Sequence, residues 1–406
     1  MSETALMGFT VVAGELQVGG MPLSRLARRV GSTPFYAYDR RLLGDRVASL
    51  RAALPAGIAL QFSIKANPMP ALVQHMAPLV DGFDVASVGE MKIALDAGMR
   101  AGDITFAGPG KTDAAIAQAV AAGVNVSVES EREIRLLASL SEAFGVAANV
   151  IVRVNPDFEL RSSGMRMGGG ARQFGIDAEE APLMLSIAAI LGIDVQGFHV
   201  FCGSQCLNSD AIGQAQTRTV DLAIRLSASA RAPVRKLHIG GGFGIPYFPG
   251  ERALDISVIG AHLAGLQRIV AAALPQARMS VELGRYLAGE AGIYVTRVIE
   301  RKVSRGKVFL VTDGGMHHHL AASGNLGQVI RKNFPVIVGN RMDAPKAGMA
   351  SVVGPLCTPL DLLADQMELG HAQAGDLIVV LQSGAYGLTA SPSAFLGHPI
   401  ALEVLV

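Results

Sequence analysis

The chain has 406 residues, half of them hydrophobic and 17% charged, enough apolar material for one large domain plus a smaller one. This composition excludes a disordered chain. Lys+Arg 35 against Asp+Glu 34 leaves a net charge of +1, so the balance favours neither nucleic acid nor an acidic membrane surface as a partner. Three cysteines, Cys202, Cys206 and Cys357, are an odd count in a long chain. They argue against a disulfide scaffold and for a reducing, cytoplasmic setting. Residues 1–30 lack a basic start followed by an apolar core, and no run of 18 apolar residues occurs, so neither a targeting segment nor a membrane span is expected.

From residue 58 the chain alternates short β-rich runs with Ala/Leu-rich helical stretches. Strands are expected at 58–64, 83–87, 103–107, 124–128, 149–154, 194–200, 234–239 and 279–283. Helical patterns fall between them at 70–79, 88–97, 112–122, 130–143, 178–190, 209–229 and 256–273. Thr112 and Ser130 read as N-caps, and Ser130 with Glu133 fits a capping box. Such alternation implies parallel pairing, and eight strands match an α/β fold of the closed (β/α)8, TIM-type barrel. A doubly wound open sheet is the alternative. After Arg285 the runs 291–299, 307–312, 335–338, 350–353 and 376–381 are strand-like with turns between them. This is a C-terminal β-sandwich or β-barrel domain. The N-terminal 34 residues, with FTVVAGELQVGG, read as strand and turn and join it. The expected division is therefore a barrel at 35–285 and a β domain made of 1–34 and 286–406.

Polar residues gather at the carboxyl ends of the expected barrel strands, where this fold places its active sites. Lys65 follows the first strand, and Asp84 marks the second. Arg153 ends the fifth, His199 the sixth, and Glu282 and Arg285 the eighth. A lysine in this position either snorkels to the rim or is buried to form a Schiff base with an aldehyde. The run Gly240–Gly244 after the seventh strand suits a phosphate nest, with Ser204 and Tyr386 as hydroxyl donors. A tight turn is the plainer reading of the glycines. Glu282 can keep a pyridine nitrogen protonated, or simply pair with Arg285. Lysine, nest and carboxylate together describe a site for pyridoxal 5'-phosphate.

The motifs FYAYD, FSIKANP, FDVASVGE, RVNP, GFHVFCGSQ, HIGGGFG, VELGRYL, GPLCTPLD and SGAYG occur in the order found in the fold-type III pyridoxal phosphate-dependent decarboxylases. The chain resembles this ornithine/diaminopimelate decarboxylase family over almost its whole length. The resemblance implies that Lys65 carries the cofactor as a Schiff base and that Glu282 meets the pyridine nitrogen. It implies that Ser204, Gly241, Gly242, Arg285 and Tyr386 hold the phosphate, with Phe243 and Gly284 also in the cofactor site. Asp84, Arg153, His199 and Phe201 would complete the cofactor site. It further implies a homodimer with shared active sites, in which Cys357 of one chain serves the other chain's site and reprotonates the product. Asp313, Cys357, Thr358, Asp361, Arg285 and Tyr386 would face the substrate.

Departures from the family bear on the substrate. Phe201 stands where a histidine usually stacks on the cofactor ring; it can stack but cannot carry a proton. Leu283 replaces a proline. Thr358 follows Cys357 where the family carries an acid. After Asp313-Gly314-Gly315-Met316, diaminopimelate decarboxylases place Arg and Tyr, whereas this chain reads HHHLAASGN. The distal clamp for a second charged group is thus missing, which leaves room for an amino-acid derivative tethered to a carrier protein, as some relatives use. Diaminopimelate decarboxylation, an alanine-racemase type of activity and non-catalytic cofactor binding are the rival readings. Glu282 opposes the racemase, which sets an arginine against the ring. His317-His318-His319 reads as substrate contact or loop face rather than a metal site, since no further ligand has suitable spacing. Cys202 and Cys206 read as small apolar fillers. Residues 161–172, with four glycines and three arginines, read as a mobile loop at the mouth of the site.

Overall fold

The structure, a computed structural model, describes residues 6–326, 328 and 330–406. Eight parallel strands follow in chain order: β1 (Ala59–Ser63), β2 (Gly82–Val85), β3 (Ile104–Phe106), β4 (Asn125–Val128), β5 (Asn149–Asn155), β6 (Val195–His199), β7 (Lys236–Gly241) and β8 (Arg278–Leu283). Each pairs with the next, and β8 pairs back onto β1 in the register Glu282↔Gln61, so the barrel is closed. The open-sheet alternative is thereby set aside.

Alternation along these strands separates two environments. Leu60, Phe62, Phe83, Val126, Val152 and Val281 are buried on the outward face beneath the helices. The inward face is polar. His199 on β6 reaches Ser127 on β4 at 2.9 Å and Glu282 on β8 at 3.0 Å, though neither strand is its neighbour. Lys236 on β7 likewise reaches Asn125 on β4. Such contacts must cross the interior, so the barrel axis is lined by hydrogen-bonding groups rather than by the branched aliphatics usual in this fold.

Local signals place the outer helices. Thr112 Oγ1 accepts from Ala115 N at 3.2 Å and Ser130 Oγ from Glu133 N at 3.3 Å, capping Asp113–Ala122 and Glu131–Phe144. The expected capping box is shifted by one residue. Glu133 Oε2 accepts from Glu129 N at 2.9 Å and also stands 3.1 Å from Lys111 Nζ, an ion pair that holds the carboxylate away from the Ser130 amide. Helix Ile256–Ala273 is long and apolar enough to cross a membrane by length and composition alone. Here Ile259, Leu263, Leu266 and Val270 form its buried stripe, and Gly260 passes so near Ala53 O that a Cβ would lie 2.0 Å from it.

The second unit comprises the chain up to Asp45, Pro246–Glu251 and Leu287–Val406. The long strand Gly292–Ser304 organises it, pairing with Leu377–Val380 and Phe35–Tyr38 through its first half and with Lys307–Thr312 through its second. Phe35, Ala37, Ile293, Val295, Leu377 and Val379 share its core with Leu16 and Leu23. The division at residue 35 is corrected by this pairing. Phe35–Tyr38 also takes Leu402–Leu405 as a parallel partner and so belongs with the β unit, whose first segment ends at Asp45. Leu23–Val30 is a helix inside the N-terminal stretch read as strand and turn. Leu362–Gly370 is a strand despite the helix-favouring sequence LLADQMELG, because pairing with Lys346–Val353 overrides propensity.

Candidate active site

Lys65 sits in a one-turn helix, Ile64–Ala66, at the carboxyl end of β1. Its Nζ lies 3.3 Å from Asp84 Oδ2 and 5.7 Å from the centre of the Phe201 ring. Asp84 is buried, and its Oδ1 has no hydrogen-bond partner among the described residues. Gly284 allows the end of β8 to approach this turn, since a Cβ there would lie 2.7 Å from Ala66 Cβ. Arg285 begins the short helix that follows.

Glu282 is held by two imidazoles. His238 Nδ1 stands 2.7 Å from Oε1, and His199 Nε2 stands 3.0 Å from Oε2. Behind His199, its Nδ1 meets Ser127 Oγ at 2.9 Å. Burial pushes the carboxyl toward protonation, but the two histidines outweigh it and hold Glu282 well below the usual carboxylate range. The pairing with Arg285 considered from sequence is therefore replaced by a histidine clamp. His238 was not singled out in the sequence, although it opens the HIGGGFG motif.

The glycine run and the Ser204 strand are stitched together. Cys206 N donates to Gly242 O and Gly244 N donates to Cys206 O, each at 2.9 Å. Gln205 Nε2 donates to Ile245 O at 2.6 Å. A Cβ on Gly241 would fall 2.2 Å from Glu282 O, and one on Gly242, whose φ is +73°, 2.4 Å from Gly203 O. Only glycine fits this cradle. Phe243 is buried beside it, edge-on to Tyr286 with ring centres 5.8 Å apart. Within the glycine-rich 161–172 segment, Ser163–Arg166 pairs antiparallel with Gly203–Cys206, setting Met165 opposite Ser204.

Arg153, expected at the cofactor, has protein partners at the end of its strand. Its Nη1 pairs with Glu129 Oε1 at 2.8 Å, and its guanidinium lies 5.0 Å from the Phe174 ring centre. Glu129 also accepts from Gly108 N at 2.7 Å and Gly175 N at 2.9 Å. Burial raises the Glu129 pKa, yet Arg153 and Lys111 bring it below its ordinary value. Arg153 is thus committed to a buried ion-pair network that ties loops to the barrel.

In the β unit Cys357 is exposed, Thr358 is half-buried, and half-buried Tyr386 adopts a left-handed φ of +53°. Asp361 and Asp313, expected to face the substrate, each accept hydrogen bonds from the protein. Asp361 is buried, accepting from Met316 N at 2.6 Å and Leu356 N at 2.8 Å, so it fixes the loop that carries Cys357. Asp313 accepts from Thr33 Oγ1 at 2.5 Å and from Thr296 Oγ1 at 2.7 Å. His317, His318 and His319 lie in the core rather than on a loop face. Burial holds His317 down at about 4 and His319 at about 3. Among the described residues no group of three or more His, Cys, Asp or Glu side chains is arranged to hold a metal ion. Cys202 and Cys206 are buried free thiols, and burial pushes Cys202 up to about 12.

Residues 41–289 match the family described as pyridoxal-dependent decarboxylase, pyridoxal binding domain. The chain belongs to the pyridoxal-dependent decarboxylases. It is 38% identical to the L-glutamyl-[BtrI acyl-carrier protein] decarboxylase of Niallia circulans, over 92% of this chain and 88% of that one. It is 32% identical to the diaminopimelate decarboxylase of Aquifex aeolicus, over 97% and 91%. The crystal structure of diaminopimelate decarboxylase from Helicobacter pylori complexed with L-lysine superposes with a TM-score of 0.83 at 25% identity, covering 94% of both chains. The enzyme is therefore a carboxy-lyase that uses pyridoxal phosphate, and the racemase reading falls away. The residues present fit the cofactor: a lysine beside a buried carboxylate, a cradle a Cβ would fill, and an ionised glutamate at the barrel mouth.

Proposed function

We propose that this decarboxylase removes the α-carboxylate of an aminoacyl group tethered to a carrier protein, within a cytoplasmic homodimer whose chains share active sites. The observation that carries this reading is the fate of the segment after Met316. Diaminopimelate decarboxylases place an Arg and a Tyr there, whereas this chain folds three histidines into its core. Thr358 supplies no charge for a second ammonium. The likeness to the carrier-protein decarboxylase of Niallia circulans supports the same substrate class. Three free thiols accord with a reducing compartment.

Pyridoxal phosphate supplies the electron sink that accepts the bonding pair when CO2 leaves. The chain's own groups do the rest. Lys65 Nζ would hold the cofactor. Glu282, ionised, would keep a proton on the ring nitrogen. The Gly240–Gly244 cradle and Ser204 would hold the phosphate. Cys357 Sγ–H of the second chain, or Lys65, returns a proton to Cα.

The deciding experiment is CO2 release from glutamyl-carrier protein against free glutamate, ornithine and diaminopimelate. The tethered substrate is expected to be preferred by about 100-fold or more in kcat/KM, the size of effect that lost binding contacts produce. Equal or faster turnover of a free diamino acid would overturn the proposal.

A further inference from the structure

We infer that His238 is a positioning residue, which fixes both the aim and the charge of the Glu282 carboxylate that faces the cofactor ring nitrogen. The inference rests on that assignment of Glu282. Its observations are geometric. His238 and Glu282 lie on adjacent strands, β7 and β8, with side chains only 3% and 1% exposed and Nδ1 2.7 Å from Oε1. His199 approaches the other oxygen from β6, and Ser127 backs His199 from β4. The hydrogen bond from His238 at one oxygen, with the His199 imidazole 3.0 Å from the other, restricts rotation of the carboxylate group. It also leaves the remaining in-plane lone pairs to accept from a ring N–H.

The charge argument is independent of aim. A carboxylate removed from water protonates unless donors compensate. A protonated Glu282 would present a hydroxyl to the ring nitrogen, and the ring would then accept a hydrogen bond instead of holding a proton. An unprotonated ring is a weaker electron sink. His238 thus acts through Glu282 and touches neither substrate nor the reacting carbon. Asparagine is the informative substitution, because its Nδ2 occupies the place of the imidazole Nδ1 and still donates.

The test uses holoenzyme loaded with pyridoxal phosphate labelled with 15N in the ring. The ring-nitrogen chemical shift reports protonation directly. His238→Leu, or His238→Ala if the leucine variant does not accumulate, is expected to move the shift toward the unprotonated value. It should lower kcat by about 10–100-fold, the range for losing a supporting hydrogen bond behind a functional ligand. His238→Asn is expected to restore the shift and most of the turnover. An unchanged shift in His238→Leu, or equal impairment in His238→Asn and His238→Leu, would overturn the inference. Glu282→Gln separates the two levels. If it leaves the shift unchanged, the assignment of Glu282 itself fails; if it moves the shift while His238→Leu does not, only the role of His238 fails.

Discussion

Lys65 Nζ lies 3.3 Å from Asp84 Oδ2, an ammonium on one barrel strand end facing a buried carboxylate on the next. The pair places a nucleophilic amine where it is anchored yet still reachable, since the lysine side chain is 40% exposed while that of the aspartate is 4% exposed. Borohydride treatment of the holoenzyme should therefore attach the cofactor irreversibly to Lys65. Peptide mass spectrometry should find the label there, and Lys65→Ala should take up none. Label on another lysine would refute the assignment.

The pairing of Ser163–Arg166 with Gly203–Cys206 supports the strand that carries Ser204. Met165→Pro should disrupt it by removing a backbone donor and constraining φ. The loss of a net hydrogen bond is worth about 1 kcal/mol, so cofactor affinity should fall roughly three- to tenfold. Equilibrium dialysis of apo-enzyme with pyridoxal phosphate measures this. Unchanged affinity would show that the phosphate cradle does not depend on its outer strand.

His319 gives the β unit a sensitivity to acid. Ala322 N donates to its Nδ1 at 3.3 Å, so Nε2 carries the hydrogen toward Ser383 Oγ at 2.9 Å, and the ring is neutral. Burial lowers its folded pKa from 6.5 to about 3, so the unfolded chain binds the extra proton. The contribution to stability is full above pH 6.5 and is lost as pH falls from there toward about 3. At pH 5 the loss from this residue is about 2 kcal/mol. His319→Gln should lower stability at pH 8 but flatten its fall between pH 6.5 and 5, read from urea midpoints. An unaltered slope would place the acid sensitivity elsewhere.

If Cys357 serves the partner chain's site, inactive Lys65→Ala and inactive Cys357→Ala chains should complement one another. Random pairing gives half hybrids with one intact site each, hence about 25% of wild-type activity. Demonstrated subunit exchange with no recovery would place the whole site in one chain.

Much of this was legible because short β-rich runs and Thr- or Ser-marked helix starts report local structure faithfully; Ser130 is one case. What could not be read lies in long-range choices. Phe35–Tyr38 looks like any apolar strand, and only its pairing with Gly292–Val295 assigns it to the β unit. The ion pair of Arg153 with Glu129, from the end of another strand, is a contact that sequence does not show. His238 hid inside a motif whose glycines attract the eye, and its significance depends on facing Glu282 across a register that sequence does not show. The two backbone amides that bond to Asp361, those of Met316 and Leu356, likewise come from a loop arrangement that sequence does not show.

The polar lining of the barrel also sets how this enzyme can be engineered or can drift in evolution. Gln61, Thr105 and Ser280 are buried with side-chain oxygens that have no hydrogen-bond partner among the described residues. Replacing them by valine or alanine would remove a desolvation cost and raise heat resistance. The same temptation extends upward to Ser127, His199 and His238, where each exchange would loosen the grip on Glu282. Selection for robustness and selection for turnover therefore pull on neighbouring positions of the same strands, and thermostable variants should stop short of the histidine layer.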